Sequence, residues 1–172
     1  IEPDSLNYAL LNLNIRINNY GNKIIPYAIA IHNEEKYSKF NISSLDWGGA
    51  LNSFDNRLDF KGNKFTPKHI QGVYGTSLDE LLKNLLFVPN HLKIDVDGNE
   101  NLILKGSKNF LRLDSLKSIL IELDESRNDY KNSLSLINEA GFFLRKKTHS
   151  EIYNSGQFAY TFNHIFERIK KN

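Results

Sequence analysis

Four carboxylates stand where chemistry could be assembled: Glu2, Asp95, Asp97 and Glu122. Glu2 opens the chain just ahead of a helical pattern, Asp95 and Asp97 close the run from His91 to Val96, and Glu122 lies near the end of the apolar run from Leu116 to Leu123. Acidic side chains gathered at the carboxyl ends of strands can take a proton from a reacting hydroxyl, an effect worth roughly 10²- to 10⁴-fold in rate. The bland alternative is that each caps a following helix or faces water.

The string Asp95-Val96-Asp97-Gly98-Asn99 admits two further readings. As a haloacid-dehalogenase-type phosphatase motif, Asp95 is the nucleophile and Asp97 the acid, with magnesium beside them. That reading lacks a downstream Gly-Asp-x-x-x-Asp motif, and its nucleophile normally opens the domain. As a calcium loop the string needs glycine at the sixth position, where Glu100 stands, and glutamate at the twelfth, where Gly106 stands, so the calcium reading fails. His32, His69, His91, His149 and His164 show no metal-ligand spacing, and no metal site is expected. Trp47-Gly48-Gly49 reads as a lip over a site or as an aromatic packed under a loop.

The elements that must position these residues follow from periodicity. Asp4 or Ser5 caps a helix carrying Leu6, Ala9, Leu10, Leu13 and Ile17, with Gly21 as its stop. Ile24 to Ile31 is a nearly continuous apolar run that suits a strand buried on both faces. Ser77-Leu78-Asp79-Glu80 is a capping box before a helix that Pro89 ends. His91 to Val96 is a strand, and Leu102, Ile103, Gly106 and Phe110 mark a helix with one tightly packed position. Leu116 to Leu123 is a strand, Tyr130 to Ala140 a helix with Gly141 beyond it, and Phe142 to Leu144 resumes a strand. Phe158 to Ile165 alternates as an edge or antiparallel strand does. Strand and helix in alternation imply an α/β fold with a mostly parallel sheet. Residues 33–74 break the pattern and are read as an insertion of short antiparallel strands, a cover on one domain spanning 1–172.

Composition bounds the partners. The 172 residues are 40% hydrophobic and 12% aromatic, enough for a core. A formal net charge of +2 gives no footprint for nucleic acid. There is no cysteine, which fits a cytoplasmic location, and no apolar run of membrane-spanning length. Asn41-Ile42-Ser43 matches a glycosylation sequon by chance in an Asn-rich chain.

Ile1-Glu2-Pro3-Asp4 with its following helix, Leu92 to Glu100 running on through Leu104-Lys105-Gly106, and Ile119-Leu120-Ile121-Glu122 resemble, in order and spacing, the motifs of FkbM-like S-adenosylmethionine-dependent methyltransferases. The resemblance implies a Rossmann-like methyltransferase sheet, mostly parallel with an antiparallel last strand. It implies methylation of an oxygen on a sugar, polyketide or peptide-like acceptor, the partner being a small molecule or glycan. In that family pattern Glu2 accepts hydrogen bonds from the two ribose hydroxyls and Ala28 lies at the adenine. Asp95, Asp97 and Glu122 fall at the place of methyl transfer. The family more often has Glu where Asp97 stands and a small apolar residue where Asn99 stands. Its first strand, with a glycine-rich turn for the methionine moiety, lies between the strand ending at Glu2 and the strand ending at Asp95. No such segment occurs within 1–172, so the sheet is expected to show a gap there, and this chain alone is expected to bind S-adenosylmethionine weakly. A non-catalytic remnant or interaction module that keeps the fold is the alternative.

Overall fold

The computed structural model describes residues 1–85, 87–149 and 155–168. The described residues form four α-helices and two four-stranded sheets. Helix α1 (Ser5–Ile17) is capped by Asp4, whose carboxylate accepts the amides of Leu6 and Asn7 at 2.8 and 3.1 Å. It ends at Asn18, and Asn19 takes the left-handed conformation (φ 57°) in place of the expected stop at Gly21. Only Ile15 of this helix is buried, while Leu6, Leu13 and Ile17 of its periodic face are exposed. The helix stands where periodicity put it, but of the face Leu6, Ala9, Leu10, Leu13 and Ile17 only Leu10 is even half-buried.

The first sheet has the order β1 (Ala30–Ile31), β4 (His69–Thr76), β2 (Lys36–Ile42), β3 (Ser53–Phe54). β1 runs parallel to β4, and β2 lies antiparallel to both β3 and β4. Three of its strands therefore come from the segment read as an insertion of short antiparallel strands. Ala30, Phe40, Ile42, Phe54 and Val73 form its small core. The expected strand from Ile24 to Ile31 is shorter than its apolar run: only Ala30 and Ile31 pair, and Ile24 and Ile25 are exposed. An apolar run reports a preference for burial, but a strand needs a backbone partner, and Ile24 to Ile29 has little beyond the bond from Glu2 N–H to Tyr27 O at 3.0 Å.

The second sheet has the order β5 (His91–Ile94), β6 (Ser118–Asp124), β8 (Thr161–Arg168), β7 (Phe142–Thr148). β5 and β6 are parallel; β8 returns between β6 and β7, antiparallel to each. The expectation of a mostly parallel sheet is thus corrected: the α/β class holds, but the two sheets are mixed, and antiparallel pairs outnumber parallel ones. The reason is local. A returning strand and the short-looped strands of the insertion pair antiparallel, whereas only a helical crossover, α3 (Glu100–Lys105) with the turn Phe110–Arg112, feeds β6 parallel to β5. The antiparallel last strand is as expected, though it is internal. Among the described residues β5 pairs with β6 alone, and the Glu2 segment does not pair with it.

The main core lies under this sheet. Leu104, Leu116, Ile119, Ile121, Ile137, Phe142 and Phe166 are almost wholly buried, each contributing about 1.5–3 kcal/mol by removal from water. α2 (Leu78–Leu82) is capped by Ser77, whose Oγ accepts the Glu80 amide at 3.1 Å, and α4 (Tyr130–Glu139) packs on α3. Asn101 of α3 donates to Asn132 Oδ1 and Ser133 Oγ of α4, both at 2.9 Å. Gly106 is the tight position its place in the sequence suggested: a Cβ there sits 2.6 Å from the His32 carbonyl and 2.7 Å from Asn33 Cα, where the first sheet meets α3. No helix among the described residues is long and apolar enough to cross a membrane.

Candidate functional site

The ends of β5 and β6 carry acidic residues for a simple reason. Both strands alternate, so the residues that do not enter the core, Leu120, Glu122 and Asp124 on β6, share the opposite face. The turn after β5 then bends at Gly98 (φ 96°) and starts α3 at Glu100. A cleft forms at this edge, lined by Phe60, Val96, Asp97, Gly98, Glu100 and Glu122, with Asp124, Arg127, Phe158 and Thr161 completing it.

The sequence-derived residues meet here in part. Asp97 and Glu122 line the cleft together. Burial raises the pKa of both; the Asp95 charge adds to each rise, and the Asp97 charge adds to that of Glu122. Asp97 Oδ2 accepts the Leu51 amide of the insertion at 2.5 Å, which opposes its rise. Among the described residues Glu122 has no hydrogen-bond or ion-pair partner, so its oxygens are available. Asp95 is exposed and pairs with Lys93 at 2.9 Å, outside the lining. It reaches the cleft through its charge.

Glu2 lies to one side. Its Oε1 accepts the Asp4 amide at 2.8 Å, and burial is the largest cause of its raised pKa, with the Asp97 charge a smaller one. The Glu2 amide bonds Tyr27 O, which puts Ala28, exposed, one residue from the Glu2 backbone. Thus Glu2 and Ala28 are neighbours, and Glu2 lies within electrostatic reach of Asp97 but outside the cleft lining.

Five further participants, Glu100, Arg127, Phe60, Phe158 and Thr161, carried weaker signals. Glu100, 7% exposed, accepts the Gly98 amide at 3.1 Å through Oε1; burial pushes its carboxyl up to about 8, so it is largely protonated at neutral pH. A glutamate two residues past a glycine at a helix start is the only hint of that bond. Arg127 forks onto Asp129 at 3.0 and 2.9 Å through Nε and Nη2 and donates from Nη1 to the Phe60 carbonyl at 2.6 Å. Phe60 stacks on Phe158 with ring centroids 4.9 Å apart. Thr161 Oγ1, in the same lining, is buried and has no hydrogen-bond partner among the described residues.

Among the described residues no group of three or more histidine, aspartate or glutamate side chains is placed to hold a metal ion. Trp47 is exposed, so it is not packed under its loop. No curated protein and no solved structure matches the chain. A family model described as the methyltransferase FkbM domain matches residues 1–144.

Proposed function

The chain belongs to the FkbM methyltransferase family, and from that premise we propose that it takes part in transfer of a methyl group from S-adenosylmethionine to a hydroxyl oxygen of a sugar, polyketide or peptide-like acceptor. The observation that carries this reading is the joint lining of one cleft by Asp97 and Glu122, with Glu2, the residue that the family pattern gives to the ribose, within reach of the Asp97 charge.

The residues fit part of the donor. Glu2 spends one oxygen on the Asp4 amide and keeps Oε2 for a vicinal diol, while exposed Ala28 beside it offers a small apolar surface to a flat base. No glycine-rich turn within 1–172 receives the methionine end. The donor supplies, when bound, an electrophilic methyl group on a sulfonium.

The chain's own contribution is to hold the acceptor and take its proton. Glu122 is the better base: it is half-buried and unpartnered, and neighbouring charges raise its basicity. Asp97, held by the backbone amides of Leu51 and Asn52, sits beside Glu122 to orient the hydroxyl. Asp95 supports both by its negative charge, which also favours a cationic sulfonium nearby.

The test is a titration of S-adenosylhomocysteine beside transfer of labelled methyl to hydroxylated acceptors. Glu2→Ala should weaken affinity about tenfold or more, through loss of a charge-assisted hydrogen bond. Glu122→Gln should leave affinity intact and lower turnover about a hundredfold or more. Unchanged affinity in Glu2→Ala together with unchanged turnover in Glu122→Gln removes the proposal and moves the non-catalytic remnant ahead.

A further inference from the structure

The cleft's wall is not made by the sheet that carries the carboxylates. It comes from the insertion, through a loop of defined shape. Leu58 and Lys64 bridge antiparallel, the Asp59 amide bonds Asn63 O at 2.8 Å, and the Asp59 carboxylate accepts the amides of Lys61 and Asn63 at 2.9 and 2.8 Å. Gly62 (φ 85°) closes the turn. Phe60 is thereby presented at the tip.

The tip is fastened at its backbone. Arg127 holds the Phe60 carbonyl, and Gly98 lies so close beneath that a Cβ there falls 2.9 Å from Phe60 Cα and 3.1 Å from Arg127 Nη1. Glu100 fixes Gly98 from the other side through its amide. A second fastening joins the insertion to the cleft at the Leu51 amide and Asp97. Phe60 and Phe158 then form an apolar wall facing Asp97, Glu122 and the unpartnered Thr161 hydroxyl.

Arg127 is the one cation among the lining residues, and its charge is paired with the Asp129 carboxylate, so the cleft's balance of charge is set by Asp97, Glu122 and Asp124. These carboxylates repel an anionic acceptor. Lys61, with its ammonium 5.7 Å from the Phe60 ring centroid, is exposed on the loop and outside the lining. What remains is an aromatic wall beside free hydrogen-bond acceptors and a hydroxyl. That combination suits an uncharged ring with several hydroxyl groups, its C–H face on the aromatic and its O–H groups on the carboxylates.

We infer that Phe60 is a specificity-determining residue that selects an uncharged saccharide as acceptor, and that Arg127 is the positioning residue that holds it there. This rests on the methyl-transfer reading only for what happens to the bound sugar.

Ligand-observed saturation-transfer NMR on the protein tests it, with methyl glycosides of glucose, galactose, mannose and rhamnose, the matching uronic acids of glucose and galactose, and S-adenosylhomocysteine in parallel samples. Expected are binding of at least one neutral glycoside, weaker binding of the uronic acids, and a loss of about tenfold in glycoside affinity in Phe60→Ala with S-adenosylhomocysteine unaffected. Arg127→Met should cause the same selective loss and speed amide hydrogen exchange at residues 58–63 by about tenfold or more, and Arg127→Lys should not restore it, because an ammonium cannot fork onto Asp129 while holding Phe60 O. No binding of any neutral glycoside, uronic acids bound as well as neutral sugars, or undiminished glycoside binding in Phe60→Ala each overturns the inference. Glycoside binding together with unchanged turnover in Glu122→Gln leaves it standing and removes the methyl-transfer reading of this cleft instead.

Discussion

Glu100 should make the fold weaken as pH rises, and Glu100→Gln should abolish that weakening. The carboxyl is 7% exposed, and burial lifts its pKa from 4.5 to about 8, with the Asp97 charge adding to the rise and Arg127 and the Gly98 amide opposing it. A raised folded-state pKa means that the folded chain holds the proton more tightly than the unfolded chain. The stability this gives is fully present below pH 4.5 and is lost as pH climbs through about 8. At about 1.4 kcal/mol per pH unit across that window, the loss is about 3–5 kcal/mol, a large share of a domain's net stability. Glutamine keeps the shape and the acceptor for the Gly98 amide but has no proton to lose. The assay is urea unfolding of both proteins from pH 4.5 to 9. With a slope of about 2 kcal/mol per molar urea, the native protein's midpoint should fall about 2 M further than the variant's. Every other titrating group is common to both, so their difference isolates position 100. Parallel curves for the two proteins would refute the argument.

Gly106→Ala should destabilise by about 1–3 kcal/mol, several degrees in melting temperature for a chain of this size, because the added methyl meets the backbone at His32 and Asn33 rather than a movable side chain. Gly21→Ala, with nothing within 4 Å of the new methyl, is the control and should leave the melting temperature within a degree or two. Arg168→Met should cost about 2–4 kcal/mol: its guanidinium donates to the carbonyls of Leu116, Ala140, Leu111 and Leu113 and lies over the Phe142 ring, tying β8 to the turn before β6 and to the end of α4. Arg168→Lys should recover little of that loss in the same thermal scan, since one ammonium cannot span four carbonyls.

The fold was legible wherever a local rule decides the outcome. Asp4 and Ser77 cap helices because their side chains reach amides two or three residues on, and that reach is written in adjacent letters. β6 alternates buried and half-buried residues because one face meets α3 and the core, and the period of two survives in Ser118 to Asp124. Pairing direction was not legible. β7 and β8 form an antiparallel pair with a shift in register between Leu144 and Lys146, and β8 lies inside the sheet against β6. The alternation of Phe158 to Ile165 serves an inner antiparallel strand as well as an edge one, so sequence alone had no means to choose.

The site divides along the same line, and the division has a chemical cause. Asp97 and Glu122 were visible because a carboxylate at a strand end is unusual as a side chain and because its neighbours form a motif. The Arg127–Phe60 fastening spans 67 positions and ends on a backbone carbonyl, which every residue type possesses, so no letter at position 60 encodes it. Leu51 meets Asp97 through an amide for the same reason, across 46 positions. The side chain that gives Phe60 its effect, in turn, needs the loop of Asp59 and Gly62 to present it, and those residues read in sequence only as a turn. Arg127 with Asp129 reads as an ordinary surface pair until its third donor is followed to Phe60 O. An insertion fastened by backbone atoms can therefore change its exposed side chains without losing its seat on the cleft. It follows that Phe60 can be exchanged for another side chain to alter acceptor choice, whereas Arg127 and Gly98 cannot be exchanged without loosening the wall itself.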